Sequence, residues 1–364
     1  MSDRVVSGTH MPLSMRLPVY VVVALVVTIL WGNWAETERP PKPGLGPRHS
    51  IVGIANGTAE SPFVQRRLLA DSARVLAWLV PSRIWDGITS TIDRVPPISW
   101  RLRNSWHWND TGNWPLLISA MFLIFAAVVG FAFAAERSIV YYLPAVRRPS
   151  LVVLLACAFT MGLLGGGDDP NHYYWYPYDL PNACLFAWLL IAMELKKWWQ
   201  LPLFALAAYS KETSAFLILV QLAYAVGGRD RRWDLLNAAG AALIYAIVQA
   251  VILAHYPPMA VGERLFAVER NVRLLEWHLL FSFWKFAIVL SVLFRIAVLW
   301  RQLPAGLRNA MVLFPCFLFA AFFGAWIEEF RQYTELWLPT ALLLAWVSTY
   351  DLTARSQTVS AGRG

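Results

Sequence analysis

The chain has 364 residues, of which 58% are hydrophobic and 15% charged, with a mean hydropathy of +0.48 and a formal net charge of +8. Soluble domains carry about 45–50% apolar and about 25% charged residues, and the apolar excess here falls in blocks of about 14 to 21 residues, near the length that crosses hydrocarbon; an ordinary water-soluble domain is excluded. The positive charge is not a nucleic-acid footprint, because the basic residues gather at the ends of apolar runs, where they set orientation, or in one long loop, and form no basic stripe on a soluble binding fold.

The first apolar run, residues 17–31, follows Arg4 and Arg16. No small-x-small cleavage site follows it, so it reads as a retained anchor. Residues 32–113 form a long polar loop that opens with the extended tract Arg39-Pro-Pro-Lys-Pro-Gly-Leu-Gly-Pro47. Ser61-Pro62 is a helix-start signal. The spacing over 63–80 then predicts an amphipathic helix with Val64, Leu68, Val75, Leu76 and Leu79 on one face and Arg66, Arg67, Asp71 and Arg74 elsewhere, stopped by Pro81. Ile84, Trp85, Ile88, Ile92 and Val95 mark a second, shorter helix. Both are expected to lie on the membrane surface, the second equally well as part of a small packed subdomain, with Trp100, Trp106, Trp108 and Trp114 bringing the chain back to the interface.

Apolar runs follow at 115–135 and 150–164, joined by a loop with Arg137, Arg147 and Arg148. Residues 165–179, GGGDDPNHYYWYPYD, are the most polar link between apolar runs, with three acids, a histidine and five aromatic rings. Residues 180–195 are apolar again and end at Lys196-Lys197. Residues 200–226 are apolar except for Ser210-Lys-Glu-Thr213. As one helix they would be about 40 Å long and bury Lys211 and Glu212 mid-membrane. A turn at Ser210, with Ser210 as N-cap and Glu212 in the first turn of the second half, is the better solution. It also places Arg229, Arg231, Arg232, Arg301 and Arg308 on the side of Lys196 and Lys197. The last runs are 235–254, 279–299, 311–327 and 336–349. The expectation is an all-α polytopic membrane protein, a single transmembrane domain over 1–364 with about ten membrane segments and interfacial helices in the long outer first loop.

This topology gathers unusual polar residues on one side, and charges at membrane depth default to a functional role. Asp168 and Asp169 suit a general base, or a divalent cation held with waters; a turn before Pro170 explains the same residues. His172 is a weaker candidate ligand, and the neighbouring tyrosines fit an aromatic belt or a sugar-stacking platform. Lys211 suits a phosphate oxygen as a point charge, or a local pair with Glu212. Arg270 and Arg273 share a helix face and either clamp a pyrophosphate or face anionic lipid. Glu328 and Glu329 with Arg331 form either an ion-paired helix end or part of the site. Cys157, Cys184 and Cys316 lie inside apolar runs without metal-ligand spacing and read as small buried hydrophobes. P-loop, GxGxxG, HExxH, CxxC and GxSxG motifs are absent from the sequence.

Tyr209-Ser-Lys-Glu-Thr213, Ile327-Glu-Glu-Phe-Arg-Gln-Tyr-Thr-Glu-Leu-Trp-Leu-Pro339 and Pro62-Phe-Val-Gln-Arg-Arg-Leu-Leu69, in this architecture, resemble segments of the GT-C class of integral-membrane glycosyltransferases, with Gln65 where the class pattern has tyrosine. The resemblance implies transfer of a sugar from a polyprenyl-phosphate donor to an envelope acceptor, on the outer face of a bacterial inner membrane with both termini cytoplasmic. It implies a lipid-linked donor and membrane lipids as partners, and no nucleic acid. The class places an acid soon after the first helix; here Glu36, Glu38 and Glu60 are the early acids, and Glu60 joins Asp168 and Asp169 as a candidate base. His172, Lys211, Glu212, Arg270, Arg273, Glu329 and Arg331 are the candidate substrate-binding residues. A glycolipid transporter or flippase and a non-catalytic membrane scaffold are the alternatives.

Overall fold

The computed structural model describes residues 13–34, 50–59, 65–104, 108, 110–143, 178–227, 230–256, 268–281, 291, 293–324 and 335–347. Among them there are helices and connecting turns and no strands. The elements are α1 (Leu13–Trp34), α2 (Ile51–Asn56), α3 (Leu68–Leu79), α4 (Ser82–Asp93), α5 (Pro96–Asn104), α6 (Trp114–Tyr142), α7 (Asp179–Glu194), α8 (Gln200–Ser210), α9 (Phe216–Gly227), α10 (Arg231–His255), α11 (Val268–Phe281), α12 (Ala305–Ala310), α13 (Leu313–Gly324) and α14 (Trp337–Val347). Among the described residues three stretches, Thr111–Tyr142, Arg231–His255 and Ala305–Phe323, are long and apolar enough to cross a membrane. Leu236, Leu243, Ile247 and Val251 make an exposed apolar row along one face of α10. A chain folded in water covers such a surface. The predicted run 150–164 lies outside the described residues.

Local chemistry sets several boundaries. Ser50 caps α2 by accepting the Gly53 amide, and Gly57, at φ 71°, closes it in the left-handed conformation. Asp230 caps α10 by accepting the Trp233 amide. Lys196, at φ 49°, turns the chain out of α7, and the Lys197 amide closes back on the Ala192 carbonyl. The span predicted to end at Ala135 runs on to Tyr142 in α6. Its next residue, Glu136, is tolerated inside the helix because Arg16 and Tyr20 of α1 both bond its carboxylate.

The break near Ser210 is a hairpin. Lys211 is extended (φ −160°, ψ 142°), a 3-10 turn follows over Glu212–Ala215, and α9 then runs back. The partners along α10 fix the directions. Leu201 and Ala208 of α8 meet Gly240 and Gln249, so α8 runs parallel to α10. Glu212 and Gln221 meet Tyr245 and Asp234, so α9 runs antiparallel to it. Gln200 donates to Gln221 across the hairpin at 2.7 Å. Ser210 is not the cap: it is the last residue of α8, buried, and Lys211 takes the capping position without a side-chain bond. The extended backbone at Lys211 already reverses the chain.

Apolar side chains join these elements into shared cores. One core packs α1, α2, α3 and α6 with Tyr178 and Leu180; another packs α7, α8, α9, α10 and α13. The first-loop helix α3 therefore buries Leu69, Ala70 and Ala73 against the bundle, instead of resting on the membrane alone, while Trp78, Leu79, Ile84 and Trp100 remain exposed on α3 to α5.

The hairpin has a direct test. Cysteines replacing Gln200 and Gln221 should form a disulfide under mild oxidation, read by peptide mass spectrometry. In one continuous helix the two positions would stand about 30 Å apart, and the cross-link could not form.

Candidate functional site

The charged residues concentrate at the hairpin turn. Lys211 Nζ lies 2.8 Å from Glu335 Oε1 and 3.3 Å from Asp179 Oδ1. The three side chains are almost completely buried, at 6%, 0% and 4% exposure. Glu335 Oε1 also accepts from Asn182 Nδ2 at 2.7 Å and from Thr213 Oγ1 at 3.0 Å. Beside this triad, Arg66 binds both oxygens of Glu212, through Nε at 3.0 Å and through Nη2, and donates to the Tyr178 hydroxyl. Its guanidinium lies over the Tyr178 ring, 4.5 Å from the centroid. A second arginine, Arg67, pairs with Asp71, donates to the Ile54 carbonyl and covers the Tyr256 ring; Tyr209 donates to Asp71. Two adjacent arginines thus tie the start of α3 to the turn, to α2 and to the end of α10.

Each position follows from the chain around it. Asp179 opens α7, and Glu335 opens the 3-10 turn that leads through Leu336 into α14, so both carboxylates sit where a helix begins and backbone amides favour negative charge. Lys211 is extended between two half-length helices, which aims its side chain into the space between α7 and α14. Burial alone would lower the pKa of Arg66, but Glu212, with Tyr178 and Asp179 behind it, outweighs this and holds it well above its ordinary range. Arg66 is therefore a fixed cation.

Of the candidate residues, the structure brings Lys211 and Glu212 together. It adds Asp179, from the end of the 165–179 stretch, and Glu335, from the end of the last polar loop. Arg273 pairs with Glu269 one turn back on α11 and is exposed; no bond among the described residues joins it to the network. Arg270 lies in α11 as well, which meets α13 through Asn271 and the carbonyls of Ala321 and Phe322. Asp168, Asp169, Glu60, His172, Glu329 and Arg331 lie outside the described residues, as does Ser61-Pro62. Arg66, Asn182 and Glu335 were not among the candidate site residues, although Arg66 and Glu335 lie in segments that carry the resemblance. The first was assigned to the polar face of an amphipathic helix, and the others look like ordinary polar residues beside apolar runs.

Chemically, the described carboxylates are counter-ions. Glu335 accepts three donors on one oxygen, Glu212 has both oxygens on Arg66, and Asp179 balances Lys211. Among the described residues no group of three or more His, Cys, Asp or Glu side chains is placed to hold a metal ion. The chain matches no family model, no curated protein and no solved structure.

Removing one member of a buried ion pair leaves the other charge uncompensated. Lys211→Met should therefore destabilise the folded chain by about 3–5 kcal/mol, seen as a lower melting temperature of the purified protein in detergent. Glu335→Gln keeps an acceptor for Asn182 and Thr213 and leaves Lys211 with Asp179, so it should cost less. The reverse order would show that Lys211 is not held by charge.

Proposed function

We propose that the chain is an integral-membrane glycosyltransferase of the GT-C kind, moving a sugar from a polyprenyl-phosphate donor to an envelope acceptor on the outer face of a bacterial inner membrane. The supporting observation is the buried charge network at the hairpin turn. It draws on all three segments that carry the resemblance: Arg66 from the first loop, Lys211 and Glu212 from the turn, and Glu335 from the last loop. A cluster of this kind at the end of apolar helices is costly and is kept for function. It also stands where a lipid-linked substrate would bring its polar head while its tail stays among the helices.

In the reaction, an acceptor hydroxyl attacks the anomeric carbon, the bond from that carbon to the phosphate oxygen breaks, and the polyprenyl phosphate leaves. A carboxylate takes the hydroxyl proton. Because the three carboxylates of the network are occupied by cations, that role falls to Asp168 or Asp169, and otherwise to Glu60. One of Arg270 or Arg273 meets the charge developing on the leaving phosphate, and Lys211, held between Asp179 and Glu335, keeps the turn in place beside it. His172, Glu329 and Arg331 contribute to holding the sugar and its phosphate. If a divalent cation takes part, the adjacent Asp168 and Asp169 are its ligands.

The half-length pair α8 and α9 favours one other reading, a glycolipid transporter, since broken helices frame substrate sites in that class. Replacing Asp168 and Asp169 together by alanine separates the two. Membranes carrying the variant should lose transfer of radiolabelled sugar from a polyprenyl-phosphate donor, with protein amount and melting temperature unchanged. Undiminished transfer would remove both residues from the base role, and donor movement between leaflets without transfer would favour the transporter. Reporter fusions after Gly228 and at the C-terminus should both report the cytoplasmic side.

A further inference from the structure

The two cations of the network are held in different ways. Lys211 is enclosed by two buried carboxylates, and Asn182 and Thr213 fix the second of these in place. Arg66 lies on the irregular segment ahead of α3, and its partner Glu212 is 42% exposed. Of the three acids Glu212 alone has solvent beside it, so it can turn to water once another anion takes its place on Arg66, whereas Asp179 or Glu335 would have to leave Lys211 inside the bundle.

We propose that Glu212 is an internal competitor: its carboxylate occupies the Arg66 fork that a phosphate-bearing ligand takes on binding. The class of ligand rests on the function proposed above; the exchange rests on the geometry. Carboxylate and phosphate offer a guanidinium the same two-oxygen edge, so a phosphate can replace Glu212 without leaving Arg66 unpaired. The Tyr178 ring beneath the guanidinium and the Tyr178 hydroxyl hold its plane while the partner changes.

Charge supplies the reason for exchange rather than addition. Among the described residues the network has two cations, Arg66 and Lys211, and three carboxylates, Asp179, Glu212 and Glu335. Within these five side chains the acids outnumber the cations by one, so adding a phosphate widens the difference and exchanging it for Glu212 does not add an anion. When Glu212 turns to solvent, Arg66 and Lys211 balance Asp179 and Glu335, and the phosphate meets a guanidinium with its edge open. Arg66 is thus a ligand-binding residue kept closed by its own chain.

The test titrates farnesyl phosphate into the full-length chain purified in detergent, with farnesol as the control for the tail. Glu212→Gln should bind farnesyl phosphate roughly tenfold more tightly than the unaltered chain, with farnesol binding unchanged. Arg66→Ala should weaken farnesyl phosphate binding, and adding Glu212→Gln to it should restore nothing. If Glu212→Gln does not yield folded protein, Glu212→Asp, which shortens the carboxylate and breaks the two-oxygen contact, should give a smaller tightening. Equal affinity of the unaltered chain and the folded Glu212 variant overturns the proposal, as does tightening that persists without Arg66. Tighter binding by Glu212→Gln in a protein that transfers no sugar leaves the exchange standing and removes the transferase; transfer with equal affinities does the opposite.

Discussion

A lysine buried beneath the end of an apolar bundle is the constraint on which the rest of this fold depends. Taking an ammonium group out of water costs several kcal/mol unless close, well-oriented partners replace the solvent. Lys211 finds them in Asp179 and Glu335, which come from chain segments far from it and from each other. That requirement fixes where α7 and α14 begin. It explains why the chain breaks at Lys211 instead of continuing as one helix, since only an extended residue between two half-helices projects its side chain between those two starts.

Polar chemistry gathers at the other end of the bundle as well, but in a different style. There Arg16 and Tyr20 bind Glu136 and clamp α1 to α6, while Glu194 accepts from Tyr141 at 3.0 Å and from Tyr224 at 2.6 Å and draws α6, α7 and α9 together. A β-carbon on Gly306 would collide with the Tyr142 hydroxyl and the Glu194 carboxylate, so α12 approaches this cluster as closely as a bare backbone allows. These contacts are mostly one carboxylate with hydroxyl donors or a single arginine. The turn end, by contrast, interlocks two cations with three acids. The first arrangement suits fastening; the second suits a place where partners are exchanged.

Much of this was legible in the sequence because charge inside apolar runs is hard to misread. The interruption at 210–213 announced a hairpin, and the polar stretches ending at Asp179 and Glu335 were expected beside it. What stayed hidden was pairing. Arg66 and Arg67 fall on what helical periodicity marks as a solvent face, yet Arg67 is buried, because its fork reaches the Ile54 carbonyl, Asp71 and the Tyr256 ring. Periodicity reports which side of a helix is apolar; it does not report that an arginine will be covered by a ring contributed from almost two hundred residues away. The capping role read into Ser210 failed for a related reason. Local preference favoured a serine cap, and the demand that Lys211 face two distant carboxylates set the backbone instead.

The bond from Asn182 to Glu335 spans 153 positions, and that from Thr213 to Glu335 spans 122. Translation at about 5–20 residues per second therefore leaves roughly 6 to 24 seconds between the emergence of the turn and that of its second counter-ion. Throughout that interval the hairpin holds a lysine with Asp179 as its one carboxylate among these three. The arrival of Glu335 thus acts as a completion signal for the nascent chain, and a truncated product leaves Lys211, Asn182 and Thr213 without the acceptor they share.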